Sequence, residues 1–184
     1  MLRKNHSTST ALLKVTDDIR KAMDSGLVTI LTLLDFSKAF DSVDHDILLS
    51  CLFKIHLSKN SIQWMDSYLR GRQQCVKINL NQMPSWRPVE RGVPQGSVLG
   101  PLLFSIYING ITSSITKCKH HLYADDVQIY LHSAPEKLSE AIGTFNEDLT
   151  EICNWTRLHG LRLNEAKTQA IIISHQKILL KLKN

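Results

Sequence analysis

Leu27-Val28-Thr29-Ile30-Leu31-Thr32-Leu33-Leu34-Asp35 is the stretch that decides the fold. Up to Leu34 it is rich in β-formers and nearly continuous in apolar residues, as a strand covered on both faces reads. It then runs directly into a carboxylate. A charge at the end of a central strand is costly unless it is paired, hydrogen-bonded or bound to a cation. Far downstream, His121 to Ala124 and Val127 to Leu131 read as a hairpin with Asp125-Asp126 at its tip. If the two strands are neighbours, their carboxylates converge and repel, and a divalent cation relieves the repulsion.

Working outward, Ser7 to Asp24 is predicted as a helix, with Leu12, Val15, Ile19 and Met23 at helical spacing and Gly26 as its stop. Asp44 can cap a second helix through about His56, carrying Ile47, Leu48, Leu52 and Ile55 on one face. Ser61 to Leu69 follows as a short helix ended by Gly71. Gln74 to Ile78 and Trp86 to Glu90 read as short strands around a polar turn. Gly92 to Gly100 is a loop, and a helix is expected from about Val98 to Ile115. Pro135 opens a long helix to about Leu158, Gly160 breaks it, and Gln169 to Ser174 is a final strand. The basic, apolar tail after His175 has no assigned structure. This order of elements is α+β: a mostly antiparallel sheet with helices packed on one face.

Composition sets bounds. The 184 residues, 43% apolar, can bury a core of one domain or slightly more. Lys and Arg outnumber Asp and Glu by 22 to 17, a net +5 that fits a polyanionic partner without requiring one. Cys51, Cys75, Cys118 and Cys153 form no C-x-x-C pair, which argues against a zinc site and a disulfide framework. His120 and His121 are adjacent on a strand and point to opposite faces, so they do not make a metal pair. Trp64, Trp86 and Trp155 read as packing residues. Neither a signal peptide nor a membrane span is visible, and the expected location is intracellular, in nucleus or cytoplasm.

Singly, Asp35, Asp125-Asp126 and the Gly92 loop are each ordinary turn chemistry. Together they are specific. Leu33-Leu34-Asp35-Phe36-Ser37-Lys38-Ala39-Phe40-Asp41, Gly92-Val93-Pro94-Gln95-Gly96-Ser97-Val98-Leu99-Gly100-Pro101 and Tyr123-Ala124-Asp125-Asp126 closely resemble motifs A, B and C of reverse transcriptases. Gly160-Leu161-Arg162-Leu163-Asn164 with Lys167-Thr168 resembles motif D. The wording is most similar to the non-LTR (LINE-like) retrotransposon enzymes.

The resemblance implies a polymerase palm at residues 27–174, preceded by a residual fingers segment and lead-in helix at 1–26 and followed by a basic tail at 175–184. Fingers are expected to be incomplete and the thumb missing, so the chain reads as a fragment that is weak by itself. The implied activity is RNA-directed DNA synthesis with an RNA template, a DNA primer and dNTPs, and no membrane. Two Mg²⁺ ions, replaceable by Mn²⁺, would be held by Asp35, Asp125 and Asp126 with the Phe36 carbonyl. Phe40 matches the sugar gate that favours dNTPs, Gln95 and Gly96 match the nucleotide and template pocket, and Lys167 matches a proton donor to pyrophosphate. The alternative is a non-catalytic retroelement remnant that folds as a palm and at most binds nucleic acid.

Overall fold

A computed structural model of the chain describes residues 8–75 and 85–182. The stretch that decides the fold forms β1 (Val28–Leu34), the central strand of a four-stranded antiparallel sheet. On one side β1 pairs with β5 (Asp126–Ser133), in a register that sets Val28 opposite Ser133 and Leu34 opposite Val127. On its other side it pairs with β6 (Gln169–Ile173), and β4 (Lys119–Tyr123) completes the order β4-β5-β1-β6. The expected α+β architecture is therefore met.

Alternation along β1 divides its side chains between two faces. Ile30 and Leu34, with Val127 and Ile129 of β5, enter the main core. This face is covered by α2 (His45–Lys54), α4 (Gly100–Ile108) and α5 (Leu138–Leu158), with α3 (Lys59–Leu69) packed behind α2. Helix α4 is apolar nearly all round, and Leu103, Phe104, Tyr107 and Ile108 are buried, as befits a helix at the centre of the core. Most of the helical layer thus lies on one face. The other face receives α1 (Thr8–Asp24), through Val15 and Ile19 against Leu31 and Tyr130. The Tyr130 hydroxyl donates to Asp18 at 2.9 Å, and Lys119 pairs with the same carboxylate at 3.2 Å.

Local signals hold at most element ends. Asp44 caps α2, its carboxylate accepting the N–H groups of Asp46 and Ile47. Other readings change. The helix predicted from Val98 to Ile115 starts at Gly100, and after Ile108 it tightens into a 3₁₀ turn over Asn109–Ser114. Asn and Gly are weak helix formers, and Gly110 lies under the Trp155 ring, where a Cβ would come within 3.1 Å. The tail, unassigned from sequence, forms a helix α6 over Gln176–Leu182.

Among the described residues of the predicted short strands, β2 (Gln73–Gln74) and β3 (Arg87–Pro88) pair; residues 76–84, which include part of the first predicted strand and its turn, lie outside the described ones. Trp155 is buried as expected and stacks on His159. Trp64 and Trp86 are not packing residues: they are 55% and 61% exposed. Met65 and Leu69 take the inward stripe of α3, which leaves Trp64 outside it, stacked on Tyr68.

Candidate active site

Asp35 follows the last residue of β1, and Asp126 opens β5. Continuing the register one step beyond the Leu34–Val127 pair sets the two acids across from each other. Asp125 sits in the tight turn before Asp126, so the acidic pair straddles the tip and the strand start instead of lying wholly in the turn. Ala124 holds φ at 52°, left-handed backbone that an alanine adopts only at some cost. Partial burial first, then the charges of Asp125 and Asp35, push the Asp126 carboxyl above its usual range.

Motif D wraps around the end of β1. The Ser37 N–H donates to the Arg162 carbonyl at 2.8 Å, and the Asn164 N–H donates to the Asp35 carbonyl at 2.8 Å. Between these bonds, Phe36 and Leu163 form an isolated antiparallel bridge. Backbone groups alternate sides along an extended chain. The Phe36 carbonyl is therefore turned away from motif D, to the side on which β5 begins. The Asp35 N–H reaches the Thr168 hydroxyl at 3.4 Å. Lys167 brings its ammonium to 3.8 Å from Asp35 Oδ2, an oxygen that is buried and accepts no hydrogen bond. Asp35, Phe36, Lys167 and the hairpin acids are thus gathered at one end of the sheet.

Phe40, Gln95 and Gly96 form a second group, built where motif B folds back on motif A. The Gly92 N–H donates to the Val43 carbonyl at 2.8 Å, and the Val93 N–H donates to the Phe40 carbonyl at 2.9 Å. Gly92 has φ +91°, and a Cβ there would meet the Asp41 backbone at 2.9 Å, so only glycine fits. The buried His45 ring bonds the Gly92 carbonyl from beneath at 2.9 Å. Phe40 is half-buried, its ring stacked on Phe104 at 4.7 Å between centroids. Gly96 stands in open space with φ +80°. The Gln95 amide donates to Asp41 Oδ1 at 2.8 Å.

Two supports escaped sequence reasoning. Asp148 of α5 is buried and accepts hydrogen bonds from Thr116, Lys117 and Cys118, which fixes the entrance to β4 and with it the acidic hairpin. Tyr107 donates its hydroxyl to the His159 carbonyl and receives the Asp44 N–H at 3.3 Å, joining α4 to the end of α5 and the start of α2. Burial pushes the Tyr107 phenol up to about 12. Asp148 offered no signal beyond an acid on the buried side of a helix; Asp41 carried one, as the residue that closes the motif A match.

The family model described as reverse transcriptase (RNA-dependent DNA polymerase) matches residues 1–179. The probable RNA-directed DNA polymerase from transposon BS of Drosophila melanogaster is 31% identical over 173 residues, spanning 90% of this chain and 19% of that protein. Its counterpart from the X-element of the same fly is 31% identical over 92% of the chain and 19% of that protein. The chain thus spans about a fifth of the length of these curated relatives. Among solved structures, telomerase from Candida albicans in complex with the TWJ fragment of telomeric RNA superposes with a TM-score of 0.67. It is 16% identical over 90% of this chain and 30% of that one, and shares the fold. Apo telomerase from Candida tropicalis, truncated from its C-terminal domain, gives a TM-score of 0.62 at 16% identity, over 94% of this chain and 36% of that one. A family match over nearly the whole chain, with curated relatives named as probable RNA-directed DNA polymerases from transposons, places this protein in the reverse transcriptase family.

Proposed function

We propose that the chain carries the nucleotidyl-transfer centre of an RNA-directed DNA polymerase. The reaction joins a primer 3′-hydroxyl to the α-phosphate of a dNTP and releases pyrophosphate. The observation that carries this assignment is Asp35 Oδ2: buried, without a hydrogen bond, faced by Lys167 at 3.8 Å and set beside an acidic pair whose own charges repel. A buried carboxylate oxygen with no hydrogen bond and only an ammonium at that distance favours a further cation.

Reverse transcriptases use divalent metal ions and bind an RNA template. The finer assignment is two Mg²⁺ ions, with Mn²⁺ able to substitute. Asp35 and Asp125 would hold both, Phe36 lending its carbonyl and Asp126 completing the acidic pair. Among the described residues, no three His, Cys, Asp or Glu side chains stand together as a ready-made metal cage. Mg²⁺ in general takes one or two carboxylates and fills its octahedron from substrate phosphates and water. Bound there, such ions would supply Lewis-acid stabilisation of the phosphoryl transfer.

The chain's own residues do the rest by position and charge. Lys167 stands beside Asp35 and is the proton donor to the departing pyrophosphate. Phe40, held by its stack on Phe104, presents a rigid ring edge against a ribose 2′-hydroxyl and so favours dNTPs. Gln95 and Gly96 line the nucleotide and template side. The net +5 of the chain suits an RNA template and DNA primer. Among the described residues, no helix is long and apolar enough to cross a membrane.

RNA-templated primer extension with dNTPs and Mg²⁺, beside an Asp125→Asn control, tests the assignment. Extension that disappears in the control is expected. A folded protein that neither extends a primer nor binds Mn²⁺ through these carboxylates overturns it.

A further inference from the structure

The contacts between motifs A and B differ in kind. At the base of the loop they are backbone bonds from Gly92 and Val93, locked by a glycine pressed on the Asp41 backbone. Those contacts cannot yield without rebuilding the turn. Farther along, Gly96 is unconfined. Between the fixed base and the free tip, one side-chain bond ties the loop to motif A: Gln95 Nε2 to Asp41 Oδ1, at 2.8 Å, with both residues exposed.

The chemistry of that pair fixes more than distance. An ionised carboxylate accepts and does not donate. Asp41 therefore selects one orientation of the Gln95 amide, NH₂ inward to motif A and carbonyl oxygen outward as an acceptor. An unpartnered glutamine would sample both orientations and several rotamers, and would lose that freedom on binding substrate. Asp41 directly follows Phe40, whose carbonyl receives the Val93 N–H, so the gate ring and the oriented amide share one frame.

We infer that Asp41 is a positioning residue for nucleotide selection: it pre-orients Gln95 beside the Phe40 gate, so that the incoming dNTP meets a hydrogen-bond acceptor already in place. This rests on the polymerase assignment above and adds to it a residue that touches no substrate.

The test is nuclear magnetic resonance of the side-chain amide of Gln95, assigned by its loss in Gln95→Ala. Wild type, Asp41→Ala and Asp41→Asn are compared, each titrated with a dNTP and Mg²⁺. Asp41→Ala is expected to shift the Gln95 amide signals and to weaken dNTP binding about fivefold to tenfold, in the range of one lost polar contact. Asp41→Asn, which keeps an acceptor oxygen, is expected to recover most of that loss. Unmoved Gln95 signals in Asp41→Ala overturn the inference, as do moved signals with unchanged dNTP affinity. If wild type binds no dNTP at all, the polymerase assignment falls and this inference with it. Backbone signals of β1 and β5 that match wild type show that the variants remain folded.

Discussion

Asp148 offers the sharpest quantitative test of how the acidic hairpin is held. Its side chain is 2% exposed. Oδ2 accepts the N–H groups of Cys118 at 2.7 Å and Lys117 at 2.9 Å, and Oδ1 accepts the N–H and hydroxyl of Thr116, each at 3.3 Å. In Asp148→Ala, Thr116 and Lys117 are exposed enough to turn to water, but the N–H of buried Cys118 is not. One buried unsatisfied donor costs about 1–3 kcal/mol, and the lost charge-assisted bonds bring the total to about 3 kcal/mol. For a chain of this size that lowers the thermal midpoint by roughly 6–12 °C. Asp148→Asn costs less, about 1.5 kcal/mol, because its oxygen can keep Cys118 and Lys117 while its NH₂ faces a Thr116 hydroxyl free to turn and accept.

The pH dependence carries a sign. Burial alone raises the Asp148 carboxyl, but the N–H groups of Cys118, Lys117 and Thr116 outweigh it and hold it below the ordinary 3.8. Its stabilisation is therefore complete well above that value and is lost as the pH falls through the folded pKa. Urea unfolding followed by tryptophan fluorescence, from neutral pH down to about pH 3, measures both effects. The gap between wild type and Asp148→Asn should close toward the acid end. Asp148→Ala within about 0.5 kcal/mol of wild type, or a gap that stays constant with pH, would refute the anchoring role.

Gly92→Ala forces a Cβ to 2.9 Å from the Asp41 backbone at φ +91°, and neither neighbour is a flexible side chain. A loss of about 2–3 kcal/mol is expected in chemical denaturation, and a neutral result would contradict the close approach of motifs A and B. Asp126→Asn should raise the thermal midpoint in chelator at neutral pH. A carboxyl held above its usual range favours the fold when protonated and opposes it once the pH rises through its pKa. The gain stays below about 1 kcal/mol, because the residue is exposed and its repulsion is screened. It should vanish in acid, where both proteins carry a neutral side chain. Phe40→Val removes the ring stacked on Phe104 and should increase ribonucleotide incorporation during primer extension. Unchanged sugar selection would show that Phe40 is not the gate.

Much of this protein was legible in one dimension. The apolar run ending at Leu34 marked the central strand, because burial on both faces leaves no alternation to read. Asp44 announced a helix start, because capping is satisfied within three residues. The acids of the proposed metal site were legible as motifs, because reactive groups sit at strand ends and turns with recognisable neighbours. Other features depend on partners far apart in the chain, and no local propensity encodes them. Trp64 is exposed because Met65 and Leu69 fill the inward stripe of α3. The helix after Gly100 ends early because Gly110 must pass beneath Trp155. Asp148 became an anchor only when α5 brought it to the backbone of Thr116 to Cys118. Asp35 meets Lys167 and Thr168, and Asp41 meets Gln95, only after the sheet closes and motif B folds back. Sequence alone determined which residues are proposed to carry the chemistry, since that reading depends on residue type and near neighbours. Tertiary structure alone decided which groups hold them in place, since a hydrogen bond forms only when the fold brings donor and acceptor within about 3 Å.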